Sequence, residues 1–133
     1  MKLNLKTVKE INNFIRTYAE PGYKKELGTI RLSGFIENKL TTKSLKHNRT
    51  LSNICLFLFH YGIPFITEFK MKGGLRPDIV APTHIKKVIE VLHTETIESF
   101  REKKLPKYLK LGIQEKDIIF IRTDEVLTFE KLN

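Results

Sequence analysis

Between Arg76 and Leu92 the chain carries two apolar extended segments, RPDIVA (76–81) and KKVIEVL (86–92), separated by little more than a PTH turn. So short a link allows only an antiparallel pair, and Pro77 is tolerable at the first position of its strand. Side chains alternate along a strand. Asp78 therefore shares a face with Val80, and Glu90 shares one with Val88 and Leu92, while Ile79, Ile89 and Val91 take the opposite faces. Apolar residues on both faces mark strands covered on both sides. Each of these strands nevertheless holds one carboxylate, a group that is costly away from water unless something pairs with it.

The flanking sequence builds a sheet around this pair. IPFITEFKM (63–71) reads as a preceding strand and KGG (72–74) as the turn out of it. TETIESFREKKLPKYLKLG reads as a helix, with Thr94 or Thr96 as N-cap and Gly112 at its C-terminal end; DIIFIRT (117–123) is a further strand and VLTFEKL (126–132) a fifth. Upstream, TTKSLKHNRTLSNICLFLFHYG is helical. Leu51, Ile54, Cys55, Leu58 and Phe59 form its apolar stripe, and Gly62 with Pro64 ends it. The first helix, KTVKEINNFIRTYAE, carries a Thr7–Glu10 capping box, an apolar face of Val8, Ile11, Ile15 and Tyr18, and a stop at Pro21-Gly22. Residues 23–40 read as a short helix followed by an extended piece. From residue 44 the order is α-β-β-β-α-β: a mixed sheet with helices on its faces, of α/β (α+β) class.

The 133 residues suit a single domain, with residues 1–43 as a basic N-terminal extension and 44–133 as the core. The net charge of +9 is unevenly spread. Residues 1–50 hold 11 Lys/Arg against 4 Asp/Glu, and residues 51–133 hold 13 against 11. A cationic surface of this kind attracts polyanions through counterion release, or serves only to keep the protein soluble. No apolar run approaches the ~20 residues that cross a bilayer, ICLFLF being the longest, and MKLNLKTVKE has no secretory-signal pattern. Cys55 is the sole cysteine, which excludes an intrachain disulfide and a cysteine-based zinc site, so a cytoplasmic location is expected.

Asp78 and Glu90 on adjacent strands suit a shared divalent cation, since Mg²⁺ takes one or two carboxylates with water and phosphate completing its shell. The alternative is that each lies solvated at a strand end or pairs with Arg76 or Lys87. Glu68, in the preceding strand, shares a face with Ile66 and Lys70 and is a third acid for the same site, or an exposed neighbour of Lys70. In the following helix, Ile97, Phe100, Lys104, Tyr108 and Leu111 recur at the helical period. That phase puts Lys104 on the sheet-facing stripe and Lys103, Lys107 and Lys110 off it, although Pro106 interrupts the helix. Lys104 either leans toward the acids, where an ammonium steadies phosphate charge, or snorkels to solvent.

These residues resemble the PD-(D/E)XK nuclease superfamily, with its restriction-endonuclease-like fold, over roughly residues 44–125: Glu68, RPDIVA with Asp78, VIEVL with Glu90, and the order αβββαβ. The resemblance implies a Mg²⁺-dependent DNA endonuclease, with Mn²⁺ as a substitute ion, in which Glu68, Asp78, Glu90 and the main-chain carbonyl of Val91 hold the metal. Where that family places a lysine two residues after the second acid, this chain has Leu92. The sequence is similar to branches in which the lysine has moved onto the next helix, here Lys104. Lys46, His47, Arg49, Lys72, Arg76, Lys103 and Lys107 are the expected contacts to duplex or branched DNA, and a homodimer is the natural way for so short a chain to reach both strands. His93 either touches the site or caps a helix start, and His60 and His84 are structural or surface residues. The competing expectations are a DNA-binding module that has lost its chemistry, which Leu92 favours, and a protein-interaction domain whose acids form structural ion pairs.

Overall fold

The structure, a computed structural model, describes residues 3–24, 42–123, 125, 127, 128 and 130–132, with only the helical backbone for residues 42–44. Two helices come first, α1 (Leu5–Tyr18) and α2 (Thr42–His60). Strands β1 (Ile66–Thr67), β2 (Ile79–Val80) and β3 (Val88–Leu92) follow, then α3 (Ile97–Lys103), α4 (Leu105–Lys110) and β4 (Ile118–Arg122). The sheet runs β1-β2-β3-β4, with antiparallel pairing at the first two contacts and parallel pairing between β3 and β4. The parallel step follows from the helical crossover, which returns the chain to the same end of the sheet. The mixed sheet and its α+β class agree with the sequence reading. Among the described residues no helix is long and apolar enough to cross a membrane.

Strand alternation divides the core into two layers. Ile66, Val80, Val88 and Ile118 pack with Phe14 of α1, Phe100 of α3 and Tyr108 of α4. Ile79, Ile89, Val91, Ile119 and Ile121 pack with Leu51, Ile54, Cys55 and Leu58 of α2. All five residues of β3 are buried, so the sheet is covered on both faces at its centre. Each fully buried aliphatic or phenyl side chain here contributes about 1.5–3 kcal/mol of transfer free energy.

Several boundaries differ from the sequence expectation. The N-cap of α1 is Asn4, whose side chain accepts from Thr7 N at 2.8 Å, in place of the Thr7–Glu10 box. Phe14 and Ala19 are buried with strand residues, Ala19 bridges Met71, and Glu20 N donates to Lys70 O at 2.9 Å. The first helix is thus built into the core and is no appended extension. Phe59, expected on the inner stripe of α2, is 58% exposed. At one hundred degrees per residue, the stripe through Leu51, Ile54, Cys55 and Leu58 leaves position 59 turned outward.

The strand expected over 63–71 shrinks to Ile66–Thr67 because Glu68 takes a positive φ of 51°, which breaks the extended run. The strand expected over 76–81 is only Ile79–Val80, since Pro77 has no N–H for a ladder. The fifth strand expected over 126–132 is absent among the described residues there. Glu130–Leu132 forms a turn of 3-10 helix, with Thr128 Oγ1 accepting Lys131 N–H at 3.2 Å, a local bond that replaces a ladder bond. The expectation for residues 23–40 falls almost wholly outside the described residues.

Candidate active site at the open ends of β2 and β3

Register brings the acids into line. Val80 pairs with Val88 and Ile66, and Ile79 pairs with Ile89 and Thr67. One step further along, Asp78 falls opposite Glu90 and Glu68 falls opposite Asp78, with Glu68 N and Asp78 O 3.4 Å apart. The three acids thus lie level with one another along the backbone, Glu90 within β3 and Glu68 and Asp78 one residue outside β1 and β2.

Two of them face each other's environment closely. Asp78 is held at both oxygens: Oδ2 accepts the Val91 main-chain N–H at 2.8 Å, and Oδ1 lies 3.2 Å from His47 Nε2 on α2. Since an ionised carboxylate only accepts, the imidazole donates in this contact. Glu90 is 3% exposed, and its Oε1 accepts the Tyr108 hydroxyl at 2.6 Å. Its Oε2 lies 3.9 Å from Lys104 Nζ, which stands equally far from Glu95 Oε2. Lys104 is 44% exposed, so its stem lies along the sheet-facing side while its ammonium sits at the rim between two carboxylates. Among the described residues neither Arg76 nor Lys87 pairs with Asp78 or Glu90; Lys87 Nζ donates to the carbonyls of Pro82 and His84.

Lys104 owes its place to a break in the helix. It is the C-cap of α3 and the N-cap of α4, with Pro106 in the first turn of the second helix. Proline lacks the N–H that would bond back to residue 102, so one helix becomes two. The buried face continues across the break, because Phe100 and Tyr108 stack with ring centroids 5.8 Å apart.

The electrostatics of the pair follow from burial. Desolvation, and then the charge of Asp78, push the Glu90 carboxyl up to about 8, against the opposing pull of the Tyr108 hydrogen bond and the Lys104 charge. Desolvation and the adjacent Glu90 raise the Tyr108 hydroxyl well above its ordinary range, so it stays a donor. The hydrogen bond to Asp78 raises His47, outweighing its own burial. His47 Nδ1 is buried with no hydrogen-bond partner among the described residues.

Glu68 does not join this pair. Its left-handed backbone ends the strand, its side chain is exposed, and it lines a neighbouring cavity. Among the described residues no three His, Cys, Asp or Glu side chains gather closely enough to hold an ion together. The donor set at the row is therefore two hard carboxylates, which fits an ion such as Mg²⁺ that keeps several waters. Of the expected nucleic-acid contacts, Arg49, Lys72, Arg76, Lys103 and Lys107 are exposed and Lys46 is half-buried, whereas His47 is committed to Asp78. His93 Nδ1 meets Thr123 Oγ1 at 2.9 Å, at the same end of the sheet. His84 bonds the Leu132 carbonyl and is structural. Tyr108 and Glu95 complete the site. Tyr108 was visible in the sequence only as part of a helical stripe, and nothing in the sequence singles out Glu95.

The class defined by these observations is an α+β protein whose mixed four-stranded sheet, helix-covered on both faces, carries an Asp–Glu pair, Asp78 just before β2 and Glu90 buried within β3, with a lysine at the rim. No protein-family model, no curated protein and no solved structure matches the chain.

Proposed function

We propose that the protein is a divalent-metal-dependent endonuclease hydrolysing phosphodiester bonds in DNA, working in the cytoplasm as a homodimer. The observation that carries this reading is the Asp78–Glu90 pair, opposite each other in register, with Lys104 Nζ 3.9 Å from the Glu90 carboxylate. The resemblance to the PD-(D/E)XK superfamily supports it, through the same two acids and the element order.

Asp78, Glu90 and the Val91 carbonyl would hold Mg²⁺, which supplies neutralisation of phosphate charge and activation of water when bound. His47 and the Val91 N–H fix the Asp78 carboxylate in orientation, and Tyr108 does the same for Glu90. Lys104, whose ammonium stands at the rim beside Glu90, steadies the negative charge that builds on the phosphate. Lys72, Arg76, Lys103 and Lys107 bind the DNA backbone without reading sequence.

A second reading has its own support. Leu92 stands where the resembling family has lysine, and it is 2% exposed, an apolar core residue with no part in chemistry. On that reading the fold binds DNA without cutting it. One experiment separates the two: a panel of labelled duplex, flap and four-way DNA is incubated with the protein, with and without Mg²⁺ or Mn²⁺, beside Asp78→Ala. The nuclease reading expects nicking that requires the ion and vanishes in the variant while binding persists. Salt-sensitive binding with no cleavage under either ion would leave only the binding module.

A further inference from the structure

Beside the row of acids lies a cavity of about 410 Å³, formed where the chain leaving α1 crosses β1. Its walls include Glu20, Tyr23, Lys24, Thr67, Glu68 and Lys70. Three features make it more than a surface dent. Its floor is anchored by backbone hydrogen bonding, through the antiparallel Ala19–Met71 β-bridge and the Glu20 N to Lys70 O bond at 2.9 Å. The Tyr23 ring is seated against Phe69 with centroids 4.8 Å apart. Glu68 is held at φ 51°, a left-handed conformation that a non-glycine residue seldom adopts and that turns the chain along the cavity wall. Strain of this kind concentrates at functional sites.

The lining chemistry narrows the ligand. Two ammonium groups against two carboxylates do not suit a uniformly anionic molecule. A nucleotide carries what each group needs: a phosphate for Lys24 or Lys70, N–H donors on a base edge for Glu20 or Glu68, and a flat ring for Tyr23. Cavities that hold such ligands begin at roughly 300 Å³. A base can enter only when unpaired, because pairing and stacking hide its face and edge. The position also fits. Glu68 lies opposite Asp78 in register, and Glu90 lies one strand beyond, so the cavity mouth stands roughly 10 Å of strand spacing from Glu90. That is the span of one or two nucleotide steps.

We infer that this cavity receives one unpaired nucleotide of the strand whose phosphate crosses the Asp78–Glu90 pair, making DNA with a single-stranded tail or flap the substrate class. The inference rests on the nuclease reading for its strand path, yet the site can be tested without catalysis. Binding is measured in EDTA, using blunt duplex, the same duplex with a short tail containing 2-aminopurine, and free nucleoside monophosphate as competitor. The tailed duplex is expected to bind roughly ten-fold more tightly than the blunt one, a usual worth for one stacked base, and its 2-aminopurine fluorescence is expected to be quenched. Tyr23→Leu removes both effects while preserving contact with Phe69, Tyr23→Phe keeps them, and Lys70→Gln weakens tail binding without touching the ring.

Equal affinity for blunt and tailed duplex, or equal loss of both in Tyr23→Leu, overturns the inference even where nicking is intact. Competition by free mononucleotide as effective as by the tail also overturns it, assigning the cavity to a small-molecule ligand. Conversely, tail binding that survives alongside an absence of nicking sinks the nuclease reading alone.

Discussion

His47 and Asp78 meet at 3.2 Å although 31 residues of chain separate them. The contact links the start of α2 to the open end of β2, and it leaves the Asp78 carboxylate clamped between an imidazole and the Val91 N–H. Groups that orient a metal-binding carboxylate typically contribute 10–100-fold to affinity. His47→Ala is expected to weaken Mn²⁺ binding by about that factor, and His47→Gln, whose amide can donate to the same oxygen, is expected to recover much of it. Titration calorimetry of the three proteins decides; unchanged affinity in His47→Ala removes the positioning role.

Two ionisable groups make metal-free stability fall as the solution becomes more alkaline. An unfolded Glu90 loses its proton near 4.5, whereas the folded one keeps it until about 8, so the folded state is progressively penalised between those values. His47 acts in the same sense: its folded value is raised above 6.5, so its contribution is complete below that pH and is lost as pH rises through the folded value. Urea midpoints measured from pH 5 to 9 should therefore decline. Glu90→Gln, which retains an acceptor for Tyr108, should flatten most of the decline. Mg²⁺ binding to the deprotonated carboxylate should strengthen with rising pH up to about 8.

Tyr108→Phe deletes the hydroxyl that donates to Glu90 Oε1 while leaving the ring stacked on Phe100. A buried acceptor without its donor costs about 1–3 kcal/mol, and the Glu90 carboxyl moves further up because the bond held it down. The loss should appear as a lowered urea midpoint at neutral pH, and should shrink in the Glu90→Gln background if the two side chains act as a pair. Additive losses in the double variant would contradict that coupling.

Lys104→Met keeps the apolar stem and removes the ammonium. Cleavage is expected to fall by at least about 100-fold, with DNA affinity nearly unchanged, as for other single charges that stabilise a transition state. A parallel drop in affinity would instead mark Lys104 as a backbone contact.

The sheet and both of its acids were legible because they rest on short-range regularities. Alternation in VIEVL and the helical period through Phe100, Lys104 and Tyr108 survive in the structure, and the proline break was visible as Pro106. What stayed hidden depends on contacts distant in sequence. Nothing near His47 announces Asp78, and Asn4 outcompeted Thr7 for a cap that both residue types can supply. Glu68 looked like an ordinary strand residue, since no local pattern reveals that a glutamate will adopt a left-handed backbone. The strands themselves came out shorter than their apolar runs, because burial without a ladder partner satisfies the same hydrophobic pattern.

The chain's lone thiol, Cys55, lies with no exposed surface on the sheet-facing side of α2, and burial raises it to about 12, so it is inert to alkylation while that helix stays seated. Because α2 also presents the imidazole that clamps Asp78, a thiol reagent becomes a clock for how often the whole helix lifts from the sheet. Slower labelling in the presence of ion or DNA would time the tightening of the Asp78–Glu90 end from a point on the far side of the sheet, with no label introduced.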